Sequence, residues 1–157
     1  MRPLLRALET RLPPPLLLLL LGIGLWQGAH AWPALRFALP GAAWIGALLG
    51  LVGVALNLVP KWRFGQAGTT INPMRPQATQ ALVTGGLLAR SRNPMYVGQV
   101  LVLAGWGLAL RTGLVLPAVL VQVLWLTRLQ IVPEERALQA RFGEVYADYR
   151  RRVRRWL

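Results

Sequence analysis

The sequence predicts an all-α integral membrane protein with four transmembrane helices and a cytoplasmic C-terminal amphipathic helix. Three observations support this fold class. Apolar residues fill 55% of the 157 positions and charged residues only 15%, a balance that soluble domains rarely show. The apolar residues form long runs rather than one-sided stripes. The basic residues fall mainly between those runs, where a membrane protein meets lipid headgroups.

Four segments are candidates to cross a bilayer, which takes about 20 apolar residues or somewhat fewer at the margins, and the third is of marginal length. They cover residues 14–32, 41–59, 95–110 and 113–132. The first contains an unbroken run of leucines, Leu16 to Leu21, and the second has no charged residue. Only Arg111 and Thr112 separate the last two segments, which predicts a tight helical hairpin. We therefore expect a single membrane domain spanning 1–157.

The basic residues also predict an orientation. They are frequent before the first segment, in the loop 61–92 and in the tail, and rare in the other two loops. The positive-inside rule then places both termini and the 61–92 loop in the cytoplasm. The formal net charge of +13 would suggest nucleic acid in a soluble protein. Here we expect anionic phospholipid headgroups as the partner and no nucleic acid.

The composition adds two expectations about location. Arginine outnumbers lysine by 17 to one, which is typical of some bacterial proteins and favours the bacterial inner membrane. The chain has no cysteine, so disulfides and thiolate metal sites are excluded. The basic N-terminus, the leucine run and the small residues Ala29 and Ala31 also resemble a cleaved signal peptide. We favour a retained first helix because the apolar stretch is longer than a usual signal core.

The tail predicts an amphipathic helix over 133–157. Pro133 suits a first helical turn, and Glu134 and Glu135 follow where acidic residues favour a helix N-terminus. Apolar residues then recur at steps of three and four, which gives one apolar face. They are Leu138, Phe142, Tyr146, Tyr149, Val153 and Trp156. Such a helix is expected to lie on the membrane surface, with arginines contacting anionic lipid.

Two predicted cytoplasmic segments carry residues suited to chemistry. In the loop, glycines 85 and 86 permit close backbone approach, and Asn93-Pro94 breaks or begins a helix. In the tail, Glu134 is a candidate partner for a cationic ligand. A purely structural interpretation stays open, in which Glu134 and Glu135 cap the helix and Arg92 reaches the headgroups.

These two segments resemble the signature of the isoprenylcysteine carboxyl methyltransferase family, which is similar to the phospholipid methyltransferases. The first segment matches at Leu82, Val83, Thr84, Gly86, Arg92, Pro94, Tyr96 and Gly98. The second matches at Glu134, Glu135, Leu138, Phe142, Gly143, Tyr146, Tyr149 and Val153. The resemblance covers about residues 60–157, and the first two predicted spans match only as apolar segments.

The resemblance implies a methyltransferase that binds S-adenosylmethionine at the cytoplasmic face and releases S-adenosylhomocysteine. Carried over by position, the cofactor-binding residues are Gln80, Ala81, Leu82, Val83, Leu88, Asn93, Pro94, Met95, Tyr96 and Glu134. Glu134 is expected to pair with the positive end of the cofactor. Methyl transfer depends mainly on alignment of donor and acceptor in a dry site, so we expect no metal.

Departures from the family pattern bear on the acceptor. Asn93 stands where the family usually has histidine, and Leu88 where a tyrosine is expected. Gln130 occupies the position of an arginine that is thought to hold a substrate carboxylate in the prenyl-protein enzymes. The nearest arginine is Arg128, which with Glu135 is our catalytic candidate. We therefore expect a membrane lipid, an isoprenoid or a small apolar molecule, entering from the bilayer, rather than a prenylated cysteine.

Two other functions remain open at this point. Sterol and steroid reductases have a similar fold and share parts of the C-terminal motif. The first alternative is therefore an NADPH-dependent membrane reductase. It is also possible to interpret the motifs as packing and capping residues of a non-catalytic membrane protein. In any of these cases the small residues Gly50, Gly53, Gly105 and Gly107 are expected to permit close helix contacts.

Overall fold

The computed structural model describes residues 9–66 and 82–157, and for 61–66 the backbone alone. Within that part every regular element is a helix. Two predicted cofactor contacts, Gln80 and Ala81, lie outside the described residues. The all-α prediction is confirmed for the residues that the structure describes.

Four apolar helices correspond to the four predicted spans. They are α1 (Pro14–Ala31), α2 (Ala42–Gln66), α3 (Pro94–Ala109) and α4 (Val115–Trp125). Short 3-10 turns lie at Pro33–Leu35 and Gly86–Ala89. A π-helical turn (Leu126–Ile131) joins α4 directly to α5 (Val132–Arg152).

The helices differ in how well they fit a bilayer. In the described part of the chain three are long and apolar enough to cross one: α1, α2 over Ala42–Pro60, and the continuous helix Val115–Arg152 that begins with α4. The 16 residues of α3 extend about 24 Å at 1.5 Å per residue. That length is shorter than a hydrocarbon core of about 30 Å, so α3 alone is too short to cross an undistorted bilayer.

The outer surface of the bundle is apolar. Trp44, Leu51 and Leu116 are 82%, 70% and 76% exposed. Side chains of this size are costly to leave in water, but they match the acyl chains of a lipid bilayer. The core between the helices is correspondingly small and includes Leu17, Tyr96, Leu126 and Ile131.

Glycines hold α2 and α3 together. Gly46 lies against Gly105, and Gly53 against Gly98, so the two helices run antiparallel with their backbones in close contact. A Cβ atom at any of these four positions would overlap a carbonyl oxygen of the partner helix. The expectation for Gly53, Gly105 and also for Gly107, which packs on Val115, is confirmed.

Gly50 differs from these glycines: its backbone nitrogen lies close to Gly105, but a Cβ atom of its own would meet open space. Gly50 and Gly53 therefore form a matched pair for mutation. We expect Gly53→Ala to lower the stability of the detergent-solubilised protein by about 1–3 kcal/mol, the usual cost of overpacking. Gly50→Ala should leave the thermal midpoint unchanged or slightly raised. Equal midpoints for the two variants would contradict the close α2–α3 contact.

The ends of the helices form two groups of contacts. The loop after α1 pairs with the α3–α4 turn through Phe37 N–H to the Arg111 carbonyl at 3.0 Å and Gly113 N–H to the Leu35 carbonyl at 2.8 Å. At the opposite end Arg136 forms an ion pair with Glu9 at 2.6 Å. The segment before α1 and the helix α5 therefore share one end of the bundle.

The tail departs from its prediction in two ways. The helix begins at Val132, bends at Gly143, where φ is 52° and ψ −126°, and ends at Arg152 rather than at 157. Val153 is extended, and Arg154 pairs with Ser91 in an isolated β-bridge. Helical periodicity continued past Arg152 in the sequence, but backbone hydrogen bonds to the loop before α3 replace the last helical turn.

Candidate functional site

Glu134 is the centre of a hydrogen-bonded cluster. Its Oε1 atom accepts a hydrogen bond from the Tyr96 hydroxyl at 2.6 Å and another from the Gln130 side-chain amide at 2.7 Å. The three residues come from α3, the π-helical turn and α5. Both bonds fall on the same oxygen, which fixes the carboxylate and leaves Oε2 outside these contacts.

Local backbone structure explains how the three side chains meet. Pro94 occupies the first turn of α3, where its missing N–H costs nothing, and this places Tyr96 on the buried side of that turn. The π-helical turn brings Leu126, Leu129 and Gln130 into the interior. Single π turns often occur at functional sites.

A buried ion-pair cluster lies beside Glu134. Arg155 donates two hydrogen bonds to Glu135, at 2.9 and 2.7 Å, and Arg92 approaches the same carboxylate at 3.0 Å. The side chains of Glu135 and Arg92 are only 8% and 9% exposed, and that of Arg155 is 35% exposed. The hydrogen bond to Glu135 raises the pKa of Arg155, so this guanidinium stays charged.

The tail closes over the loop that precedes α3. The Asn93 side-chain amide donates to the Arg155 carbonyl at 2.9 Å, and Arg92 N–H donates to the Arg154 carbonyl at 2.9 Å. The Tyr149 hydroxyl donates to the Leu88 carbonyl at 2.7 Å. The two motifs that resembled a cofactor site in the sequence therefore form one continuous surface.

Of the predicted cofactor residues that the structure describes, Tyr96 and Glu134 are in direct contact, and Asn93 and Leu88 are hydrogen-bonded to the tail. Leu82 and Val83 lie half-buried in the chain before the 3-10 turn, Leu88 and Pro94 are buried, and Met95 is half-buried. The Met95 carbonyl accepts a hydrogen bond from Asn57 of α2 at 3.2 Å. This contact ties the start of α3 to a helix that the motif does not include.

The two catalytic candidates lie in different surroundings. Arg128 is exposed on the π-helical turn, whereas Gln130, two residues later, is buried and contacts Glu134. Glu135 is buried in the ion-pair cluster. Sequence reasoning assigned no role to Arg155, and its position at an arginine-rich end gave no signal. Gln130 was recognisable only as a departure from the family pattern.

An apolar groove opens on the bundle between α1 and α3. Its volume is 420 Å³, and it is lined by Leu18, Leu19, Gly22, Ile23, Trp26, Val102, Leu103 and Trp106. The Trp106 indole N–H donates to the Gly22 carbonyl at 3.0 Å and joins the two walls. Leu17, which precedes the lining residue Leu18 on α1, packs in the same cluster as Tyr96.

Comparison with known proteins identifies the family. The sequence model of the phospholipid methyltransferase family matches residues 42–145. This chain belongs to the phospholipid methyltransferase family. It is also 38% identical over 63 residues to an uncharacterized protein of Haemophilus influenzae, a stretch that covers 40% of this chain and 100% of that protein. No solved structure matches the chain.

Membership of the phospholipid methyltransferase family confirms the resemblance seen in the sequence. Together with the apolar helices, it indicates a membrane methyltransferase. The matched region contains Tyr96, Gln130, Glu134 and Glu135, so the cluster around Glu134 lies entirely within the family's sequence. Arg155 lies beyond it. The closure of the tail over the loop therefore adds a contact from outside the matched region.

The closure can be tested with Tyr149→Phe, which removes only the hydroxyl that binds the Leu88 carbonyl. We expect a loss of about 1 kcal/mol in stability, the usual net value of such a bond, and faster amide hydrogen exchange over residues 86–93. Val145→Ala, at an exposed position of the same helix, is the control. Unchanged exchange in Tyr149→Phe would show that this hydrogen bond does not hold the loop.

Proposed function

We propose that this phospholipid methyltransferase family member transfers a methyl group from S-adenosylmethionine to a lipid-like or small apolar acceptor at the cytoplasmic face of the bacterial inner membrane. The observation that carries the proposal is the position of Glu134. Its carboxylate accepts hydrogen bonds from Tyr96, which lies far away in the sequence, and from Gln130, which lies one helical turn earlier. These bonds hold the carboxylate beside the loop and the tail that closes over it.

The residues present fit the proposed cofactor. A fixed, half-buried carboxylate is a suitable partner for a cationic ligand, because the opposite charges attract more strongly away from bulk water. Glu134 would hold the positive end of the ligand. Leu88, Asn93 and Met95 lie in the segment that the tail covers, and they would line the other side.

Methyl transfer requires little acid–base catalysis by the protein. When bound, S-adenosylmethionine supplies the activated methyl group on its sulfonium. The chain's own residues orient the ligands and exclude water, which is the main contribution to such a displacement. The ion pairs of Glu135 with Arg92 and Arg155 keep the loop on the tail, so that the surface around Glu134 is preorganised.

The acceptor is proposed to come from the bilayer. The groove between α1 and α3 is apolar, and its lining residue Leu18 follows Leu17, which packs in the cluster that contains Tyr96. An acyl or isoprenoid chain lying there would bring its polar end towards Glu134 without leaving the membrane. Gln130 replaces the arginine that is thought to hold a substrate carboxylate in the prenyl-protein enzymes. This replacement is consistent with an acceptor that has no carboxylate near Gln130.

Calorimetric titration of the detergent-purified protein with S-adenosylhomocysteine, and in parallel with NADPH, tests the proposal. We expect binding of the homocysteine product and none of NADPH. Binding of NADPH alone would indicate a reductase and overturn the proposal. Binding of neither ligand would favour a structural role for the motifs.

A further inference from the structure

Two glutamines are buried in the apolar part of the bundle. Gln122 of α4 is 0% exposed and Gln99 of α3 is 6% exposed. Within the described residues, both amide atoms of Gln122 and the Oε1 atom of Gln99 have no hydrogen-bond partner. Burial of an amide without a partner is costly, and polar residues inside a membrane commonly mark a substrate path.

The helix register places the two glutamines at the same depth. Gly107 packs directly on Val115 across the α3–α4 hairpin. Gln99 lies eight residues before Gly107, and Gln122 seven residues after Val115, so both lie roughly 11 Å from that contact at 1.5 Å per residue. Gln99 is also one helical turn beyond Tyr96, on the side away from Glu134.

The unpartnered atoms define the chemistry of a ligand. The Gln122 amide nitrogen donates hydrogen bonds, whereas the two Oε1 atoms accept them. An ester or ketone carbonyl can satisfy only the donor. A hydroxyl group satisfies both kinds of atom, because its oxygen accepts from the Gln122 nitrogen while its hydrogen is donated to one of the oxygens.

We propose that Gln99 and Gln122 form an interior site that binds a hydroxyl group of the lipid acceptor. This inference rests on the proposed function and deepens it. The hydroxyl is not the methylated group, because Gln99 lies about one helical turn deeper than Tyr96 and Gln122 about three turns deeper than Glu134. It serves as a second anchor, which selects amphiphiles that carry a hydroxyl below their head group.

The test uses a matched pair of lipids, 1-oleoyl-lysophosphatidylethanolamine, which has a free hydroxyl, and its 2-deoxy analogue, which lacks it. The thermal midpoint of the purified protein is measured against lipid concentration for the wild type, Gln122→Leu and Gln99→Leu. Gln27→Leu is the control, because Gln27 lies exposed on α1. We expect the hydroxyl lipid to raise the midpoint of the wild type and of the control.

The 2-deoxy analogue should need about tenfold more lipid for the same rise, the equivalent of one lost hydrogen bond. Gln122→Leu should not distinguish the two lipids, and its midpoint without lipid should not fall, since it removes an unpartnered amide. Should Gln122→Leu fail to fold, Gln99→Leu provides the same comparison. Equal responses of the wild type to both lipids would overturn the inference.

Two further results have separate meanings. A lower midpoint of Gln122→Leu without lipid, together with no preference for the hydroxyl in the wild type, would indicate a bound water only and overturn the inference. Calorimetry with S-adenosylhomocysteine on the same preparations tests the proposed function independently. If the protein binds S-adenosylhomocysteine but does not prefer the hydroxyl lipid, only the interior site is overturned. If it prefers the hydroxyl lipid but does not bind S-adenosylhomocysteine, only the methyltransferase proposal is overturned.

Discussion

Replacing Glu134 by glutamine is expected to weaken the binding of S-adenosylhomocysteine by about 10- to 100-fold, the range of hydrogen bonds to charged groups. Glutamine has the shape of the carboxylate, and its carbonyl oxygen can still accept from Tyr96. The variant therefore removes the negative charge without removing the packing. Calorimetric affinity, measured beside the thermal midpoint of the same preparation, checks this expectation.

The matched control is Glu144→Gln, since Glu144 is an exposed acidic residue on the same helix and its change removes the same net charge. Its affinity should remain that of the wild type. If Glu134→Gln bound the ligand normally, Glu134 would be only a structural acceptor for Tyr96 and Gln130. If Glu134→Gln lost affinity and also had a lower thermal midpoint, the result would likewise indicate a role of Glu134 in packing rather than in ligand binding.

Replacing Glu135 by leucine is expected to lower the stability of the protein by about 3–5 kcal/mol, the usual cost of removing one partner from a buried ion pair. Arg92 would keep its positive charge at a position only 9% exposed. Arg155 would lose both of its hydrogen bonds to the carboxylate. The thermal midpoint in detergent, without ligand, measures the effect.

Asp148→Asn provides the control, because Asp148 pairs with Arg151 at the surface and both side chains are more than half exposed. Such pairs contribute about 0–1 kcal/mol. The double variant Arg92→Met with Glu135→Leu should recover part of the loss, since it removes the buried unpaired charge at position 92 and leaves only Arg155, whose side chain is 35% exposed. If the single variant were as stable as the wild type, the cluster would not hold the loop on the tail.

The spans and the residues of the candidate site were recognisable from the sequence for different reasons. Long apolar runs leave few alternatives to membrane helices, so all four predicted segments coincide with helices. The motif residues Glu134 and Tyr96 were recognisable because family resemblance preserves their spacing. Neither kind of pattern records how side chains turn about a helix axis, so the role of Gln130, set by the π-helical turn, was not predictable.

The tail shows the same limit more clearly. Its apolar periodicity indicated a helix to 157, but the last residues instead extend and hydrogen-bond to the loop before α3. A local sequence pattern does not show whether a backbone group will form a helical hydrogen bond or a hydrogen bond to a segment some 60 residues away. The contact of Arg155 with Glu135 belongs to the same class of long-range interactions.

By itself the sequence determined that the chain is a membrane protein of apolar helices with basic connecting segments, because burial in lipid requires long uncharged runs. It also determined which residue types are available for a ligand site. Only the tertiary structure decided which of them meet. The glycine contacts of α2 and α3 and the carboxylate held by Tyr96 and Gln130 depend on helix packing, which brings together atoms that the chain keeps far apart. The same is true of the buried amide atoms of Gln99 and Gln122 that have no partner among the described residues.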